Sequence, residues 1–312
     1  MLDALGLEPA PRPFVKWAGG KRQLLPTIEE RLPTGIREGT ITRYIEPFVG
    51  GGAVFFHLRQ LYPFEDFHIS DFNPDLVNAY IVIRDELDAL LDGLSVIADE
   101  YLPLEHAERG EVFYRIRDEY NATRDCLQSD SMSGGRITRA AQTIFLNRTC
   151  FNGLYRVNSK GDYNVPHGRY ANPPIRDERN LRSVRRALQG VHISCGSYEI
   201  CETHVDGSSF VYFDPPYRPL PDTPSFTAYS QTSSFGDEDQ GVLARFFSDM
   251  HARGARLMLS NSDPHVTNED DDFFDDLYSD FNIARVNAIR AINSDGEGRG
   301  AITEILVTNY EA

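Results

Sequence analysis

The sequence predicts an α/β protein: a doubly wound nucleotide-binding sheet interrupted by a helical, basic insertion. Three observations predict it. Residues 44–71 contain a strand (YIEPF), a glycine-rich turn (VGGG), a helix (AVFFHLRQL) and a second strand (DFHISD) ending in Asp71. That order is the opening half of such a sheet. Residues 75–189 then lose strand character, and positive charge concentrates over residues 136–190. From residue 191 strand signals return as VHISC, SFVYFD, RLMLSN, FNIARVNAI and AITEILVTNY, with helical stretches between strands.

Each element has a local reason. FVKWAGGK (14–21) is a short extended stretch that turns through Gly19-Gly20 into a helix near 23–31. Residues 75–125 carry helical spacing, with Val77, Tyr80, Ile81 and Ile83 early and Val112, Phe113, Ile116 and Tyr120 late. LQSDSMSGG (127–135) has the composition of a flexible loop, and a helix over 136–148 is expected after it. Residues 151–175, rich in Asn, Gly, Tyr and Pro, form a hairpin or ordered loop, and 180–189 a basic helix. The expected division is a catalytic domain of residues 10–74 and 190–312, and an inserted domain of residues 75–189.

Composition narrows the function classes. The chain has 312 residues, 41% hydrophobic and 25% charged, as a folded globular protein does. No apolar run reaches 18 residues, so no transmembrane helix is expected. MLDALGLEPAPRPF has neither a positive n-region nor an apolar h-region, so no signal peptide is expected. Cys126, Cys150, Cys195 and Cys201 form no CxxC pair. That argues against zinc and a disulfide framework and for the reducing cytoplasm. No metal is expected.

Net charge is −16, which on its face argues against a nucleic-acid partner. Its distribution argues otherwise. Residues 136–190 hold 11 Lys and Arg against 3 Asp and Glu, whereas residues 237–280 hold 12 acids against 3 arginines. A basic segment inside an acidic shell is the footprint of a polyanion, or else a solvated helix face. Lys16, Lys21 and Lys160 are the only lysines, a bias of high-salt or high-GC hosts. The acidic run 268–276 has no defined oxygen-ligand spacing and is expected to be a solvated loop or helix start.

The chemistry concentrates in VYFDPPY (211–217). An apolar strand runs into Asp214, and Pro215 and Pro216 cannot continue its ladder. They make a rigid turn at the strand's carboxyl edge, where open α/β sheets bind ligands. Asp214 and the Pro215 carbonyl can accept both hydrogens of an exocyclic amine, while Tyr217 stacks on the ring that bears it. Taken alone, this is equally a strand ending in a proline turn. The turn Glu46-Pro47-Phe48-Val49-Gly50-Gly51-Gly52 lets backbone approach a ligand. Asp71 lies 21 residues after Gly50, the spacing of an acid on the second strand that binds ribose hydroxyls. Together they point to an adenosine-type cofactor. Gly20-Lys21 is followed by Arg22 and lacks the upstream glycine of a P-loop, and no GxSxG is present.

FVKWAGGK, YIEPFVGGGAVFF, ISDFNPDL, FLNRTCFNGLYRVNSKGDYNVPHGRY, VYFDPPYRPL, SFTAYSQTSSF and RAINSDGEGRGAITEIL occur in that order from about residue 13 to 310. In this the chain resembles the Dam-type DNA adenine-N6 methyltransferases. The resemblance implies a Rossmann-like S-adenosylmethionine-dependent methyltransferase sheet. It also implies an inserted, mainly helical DNA-recognition domain carrying a β-hairpin. It assigns Trp17, Ala18, Gly19, Gly20, Lys21, Glu46, Pro47, Phe48, Gly50, Gly52, Asp71, Phe72 and Asp214 to the S-adenosylmethionine site. Asp214, Pro215, Pro216 and Tyr217 become the catalytic turn that holds the target adenine. Lys16, Phe151, Asn152, Leu154, Arg156, Asn164, Pro166, Arg169 and Tyr170 become DNA contacts. Arg156 and Arg169 carry the forked donors that read guanine, or else position phosphates.

The resemblance implies transfer to N6 of a flipped-out adenine in double-stranded DNA, with GATC as the target. A monomer is expected, with a cognate restriction endonuclease as a functional partner. Thr149-Cys150, Tyr155 and the 127–135 loop depart from the close GATC methylases. The competing readings are a cytosine-N4 or RNA amino-methyltransferase, and a DNA- or cofactor-binding regulator without catalysis.

Overall fold

The computed structural model describes residues 9–124, 127, 133–219, 235–288 and 302–311. Its centre is one seven-stranded sheet in the order β3-β2-β1-β4-β5-β7-β6. The strands are β1 (Arg43–Glu46), β2 (Asp66–Asp71), β3 (Val191–Cys195), β4 (Ser209–Phe213), β5 (Arg256–Ser262), β6 (Asn282–Ala288) and β7 (Ile302–Thr308). The first five are parallel, and β7 runs antiparallel between β5 and β6. The chain winds from β1 towards β3 on one side and from β4 outward on the other. The switch between β1 and β4 opens a crevice at the strands' carboxyl ends.

Helices cover both faces. They are α1 (Leu25–Glu30), α2 (Thr34–Glu38), α3 (Ala53–Leu61), α4 (Pro74–Asp85), α5 (Leu87–Tyr101), α6 (His106–Ala122), α7 (Ser133–Thr149), α8 (Glu178–Ala187), α9 (Asp237–Ala252) and α10 (Phe273–Leu277). Side chains alternate across a strand, and β4 is buried at every position. Phe210 and Tyr212 enter one core with Tyr44, Phe67, Ile69, Met258 and Leu306. Val211 and Phe213 enter the other with Ile45, Leu257, Leu259, Ile305 and Val307, under α9 and α10.

The first core also takes in Leu76, Leu91, Phe113, Phe145, Tyr163 and Leu188. The middle segment 75–189 therefore packs continuously with the sheet, and α4 lies against β2, β3 and α8. A buried ion pair joins α4 to α7: Arg139 Nε lies 2.5 Å from Asp75 Oδ1, and Arg139 Nη2 donates to Oδ2 at 3.1 Å.

The elements follow the sequence closely, with three differences. Helix α7 begins at Ser133, inside the stretch expected to be a loop, so Gly134 and Gly135 are helical. The rest of that loop, apart from residue 127, lies outside the described residues, as does Cys126. The hairpin of residues 150–167 is irregular, pairing only at Cys150–His167 and Val157–Tyr163 among the described residues. The antiparallel entry of β7 was not foreseen, because strand patterning does not encode direction. In the acidic run, α10 forms and Asp271 and Asp275 accept from Arg218 and Arg285. Among the described residues no helix is long and apolar enough to cross a membrane.

Candidate active site

Strand parity gathers four carboxylates on one face of the sheet. Glu46 shares the face of Tyr44, and Asp71 that of Ile69. Asp214 shares the face of Tyr212, and Glu304 that of Leu306. Glu46, Asp71 and Asp214 stand at the carboxyl ends of parallel strands. Glu304 stands near the start of β7, and β7's reversed direction brings that start to the same edge, opposite Ser262 of β5.

Lys21 joins this edge from the N-terminal segment. Lys21 is buried, with a side chain 5% exposed, and its Nζ lies 2.7 Å from Asp214 Oδ1. The same Nζ donates to the Gly19 carbonyl at 2.6 Å and sits 4.4 Å from the centre of the Tyr217 ring. Ser260 Oγ donates to Asp214 Oδ1 at 3.0 Å, and Ser260 in turn bonds the Tyr212 phenol at 2.9 Å. Burial pushes the Asp214 carboxyl up from its ordinary value, and Lys21 and Ser260 oppose that push.

The turn after Asp214 is fixed by its neighbours. Gln240 donates to the Pro216 carbonyl at 3.0 Å, and the Arg218 backbone N–H donates to Asn261 at 3.1 Å. Ser262 Oγ donates to the Arg218 carbonyl at 2.9 Å. Tyr217 donates its phenol hydrogen to Glu304 Oε2 at 2.5 Å. Burial and these carboxylates drive the Tyr217 phenol well above its usual range, so it stays protonated and donating.

The glycine turn forms the adjoining wall. Gly50 and Gly52 have φ of 49° and 74°. A Cβ on Gly50 would meet Trp17 at 2.9 Å, and one on Gly52 would meet the Tyr80 hydroxyl at 2.6 Å. Glycine is therefore required twice over, for backbone sign and for space. Asp71 braces the turn: its Oδ2 accepts from the Gly50 N–H at 3.0 Å and its Oδ1 from the Asn73 N–H at 2.9 Å. Burial raises its pKa, opposed by those backbone donors. Phe72, next in sequence, is 55% exposed. Glu46 is 2% exposed and accepts the Tyr44 phenol at 2.7 Å. Burial holds its carboxyl well above the usual range, and the Phe55 N–H in the first turn of α3 works against it. Pro47 is buried, and half-buried Phe48 packs on Tyr198. Ala18, Gly19 and Gly20 are exposed.

The basic segment meets this edge through Lys16. Asn147 of α7 clamps the Lys16 backbone, accepting from its N–H at 2.7 Å and donating to its carbonyl at 2.8 Å. Asn147 also donates to the Gly153 carbonyl at 3.0 Å. Lys16 Nζ then reaches the Tyr170 hydroxyl at 3.2 Å. Phe151 is 52% exposed, and Asn152 is the one non-glycine residue with positive φ (57°) among the described residues. Pro166 is exposed and its carbonyl accepts from the Phe151 N–H, whereas Leu154 is half-buried. Arg156 donates to the Asn164 side chain at 2.7 Å, so those two are already paired. Arg169 is exposed beside a cleft of about 460 Å³ that Glu105, His106 and Arg109 also line.

The family model described as D12 class N6 adenine-specific DNA methyltransferase matches residues 17–292. The chain belongs to that family. It is 50% identical over 301 residues to the type II methyltransferase M.MjaIII of Methanocaldococcus jannaschii, covering 96% of this chain and 99% of that one. It is 39% identical over 301 residues to the type II methyltransferase M1.LlaDCHI of Lactococcus lactis subsp. cremoris, covering 96% and 95%. To the DNA adenine methylase of Escherichia coli it is 34% identical over 295 residues, covering 95% and 94%. It is thus an adenine-specific DNA methyltransferase, an enzyme that needs a methyl donor and acts on DNA.

In this methyltransferase Lys21 stands with the Asp214 turn, whereas the sequence grouped it only with the cofactor residues. Sequence reading missed Ser260, Asn261, Gln240, Tyr212 and Glu304. The signal was faint: a polar LSNS at the end of a buried strand, and one acid in the apolar run ITEILV. Tyr155 is buried, packs on Trp17 with ring centres 5.2 Å apart and donates to Asp75 at 3.1 Å. It ties the α4–α7 ion pair to the wall of the site. Among the described residues two donor sets could gather a cation elsewhere: Asp66, His68 and His192, and His265, Asp272 and Asp275. Each already has a guanidinium on a shared carboxylate, Arg43 on Asp66 and Arg285 on Asp275.

Proposed function

We propose that the enzyme moves a methyl group from S-adenosylmethionine to N6 of an adenine extruded from duplex DNA, with GATC as the target. One observation carries the reading. The Lys21 ammonium lies on the Asp214 carboxylate and over the Tyr217 ring, which marks a place built for a nitrogen that carries or gains positive charge.

The residues at the switch point fit S-adenosylmethionine. Asp71 keeps lone pairs for a ribose hydroxyl pair, exposed Phe72 offers an apolar face, and the 48–52 turn brings backbone close. Glu46 fixes the start of α3 behind that turn. When bound, this donor supplies an electrophilic methyl on a sulfonium.

The protein supplies the rest. An adenine amine inside a stacked duplex is out of reach, so the base leaves the stack at a cost of a few kcal/mol. Tyr217 offsets part of that by stacking. The amine is a weak nucleophile because its lone pair is delocalised into the ring. Hydrogen bonds to Asp214 and to the Pro215 carbonyl favour a pyramidal nitrogen whose lone pair faces the methyl. Among the described residues none donates to the Pro215 carbonyl. Catalysis is then alignment plus stabilisation of positive charge developing on nitrogen.

Residues 75–189 are the target-recognition segment in this reading. Exposed Phe151 and Asn152 would fill the place of a displaced base in this reading. Exposed Arg169 would read a base edge, and Lys16 and Tyr170 would meet the DNA backbone. We read the enzyme as a cytoplasmic monomer that methylates double-stranded DNA, paired with a cognate restriction endonuclease.

The test is nucleoside mass spectrometry after incubation with S-adenosylmethionine and two duplexes, one with GATC and one with that site scrambled. N6-methyladenine only in the first is expected. N6-methyladenine in neither duplex, but in genomic DNA, would discard the target.

A further inference from the structure

We infer that Glu304 is a positioning residue for methyl transfer, acting through Tyr217 to shape the seat of the reacting nitrogen. The inference rests on the assignment of Asp214 and Tyr217 as the seat of the target amine.

The geometry is particular to β7. Glu304 reaches the catalytic edge only because this strand runs against its neighbours, which sets it opposite Ser262 at the strands' carboxyl ends. Its neighbour Thr303 points to the other face and is anchored there, donating to Asp263 at 2.5 Å. Asp263 in turn is held by Arg285 at 3.2 Å. The start of β7 is thereby pinned, and with it the Glu304 carboxylate that receives the Tyr217 phenol.

Two consequences follow from a phenol that donates to a carboxylate. The ring is locked in rotation, so its face stays presented to the crevice. The ring is also enriched in electrons, which strengthens its attraction for a cation on that face. The face already holds one: the Lys21 ammonium, 4.4 Å from the ring centre. Methylation of an amine places positive charge on that nitrogen until its proton departs. Glu304 therefore favours the charged, late form of the reacting nitrogen over its neutral form, an effect on rate rather than on binding.

The experiment is a double-mutant cycle on the full-length enzyme, using Glu304→Gln, Tyr217→Phe and the double variant. Single-turnover methyl transfer is measured at saturating S-adenosylmethionine and duplex, alongside dissociation constants for both. The wild type serves as reference, and its failure to methylate adenine would overturn the functional reading itself. With wild type active, Glu304→Gln is expected to lower the transfer rate about tenfold. Both dissociation constants should stay within about twofold, and the double variant should be no slower than the slower single one. A wild-type rate in Glu304→Gln overturns the proposal, as do single effects that multiply in the double variant. A rate loss matched by a loss of DNA or cofactor affinity overturns it too. Glu304→Gln keeps the acceptor and the shape, and a thermal melt within a few degrees of wild type confirms that the rate loss is not a loss of fold.

Discussion

At the scale of single residues, burial and hydrogen bonding set the chemistry of the carboxylates. Glu46 is the clearest case. Burial raises its folded pKa well above the usual range. Between the unfolded value of about 4.3 and the folded value, the native state holds the extra proton. Stability therefore falls as pH rises through that window, by up to about 1.4 kcal/mol per pH unit. Glu46→Gln has no proton to lose. Thermal melts from pH 4 to 9 should show the wild type losing stability relative to Glu46→Gln as pH rises, and parallel curves would refute this. Asp214 and Tyr217 were legible in the sequence as candidates because the whole turn is contiguous. Ser260 and Glu304 were not, because their roles depend on strands 46 and 87 residues away from their partners in the chain. Lys21 was legible as a candidate, but its partner was not, since nothing local ties residue 21 to residue 214.

At the scale of elements, helices α4 and α7 of the middle segment are joined by a buried ion pair. Arg139 and Asp75 side chains are 3% and 4% exposed. Arg139→Met leaves the Asp75 charge buried without its guanidinium. Chemical denaturation should show a loss of about 3–5 kcal/mol, since removing one partner strands the other. A loss below about 1 kcal/mol would mean that water or Tyr155 compensates. The hairpin makes a separate prediction. If Arg169 reads a base, Arg169→Ala should relax preference at one position of the target, at a cost of about 1–3 kcal/mol. If it only touches phosphate, affinity should weaken equally for all duplexes and the salt slope should fall by about one. Competition binding with single-site duplex variants separates these. The helices and strands were legible from periodicity. One exception is the early start of α7 through Gly134 and Gly135, which glycine's weak helix propensity hid from a reading of the sequence.

At the scale of the molecule, sheet topology decides where chemistry can occur. The order β3-β2-β1-β4-β5-β7-β6 sets the switch point beside Asp71 and Glu46 on one hand and Asp214 on the other. The glycine turn and the Asp214 turn, which the sequence offered as candidate cofactor wall and candidate amine-binding turn, thus lie at one edge of the sheet. The strand order was not readable from the chain, because each strand is short and apolar and its neighbours are chosen by crossovers. The charge asymmetry fits the same picture: basic residues lie in the segment that meets Lys16 at the rim, while the acidic excess lies elsewhere. The central claim is that adenine is methylated at the Asp214 turn while Lys16 and the segment 75–189 bind DNA. Its most direct test compares Asp214→Ala with wild type in single-turnover transfer from S-adenosylmethionine to a duplex, with DNA affinity measured by anisotropy in the same samples. The account predicts a fall in transfer of at least about a hundredfold with DNA binding retained. Comparable transfer rates for variant and wild type would contradict it.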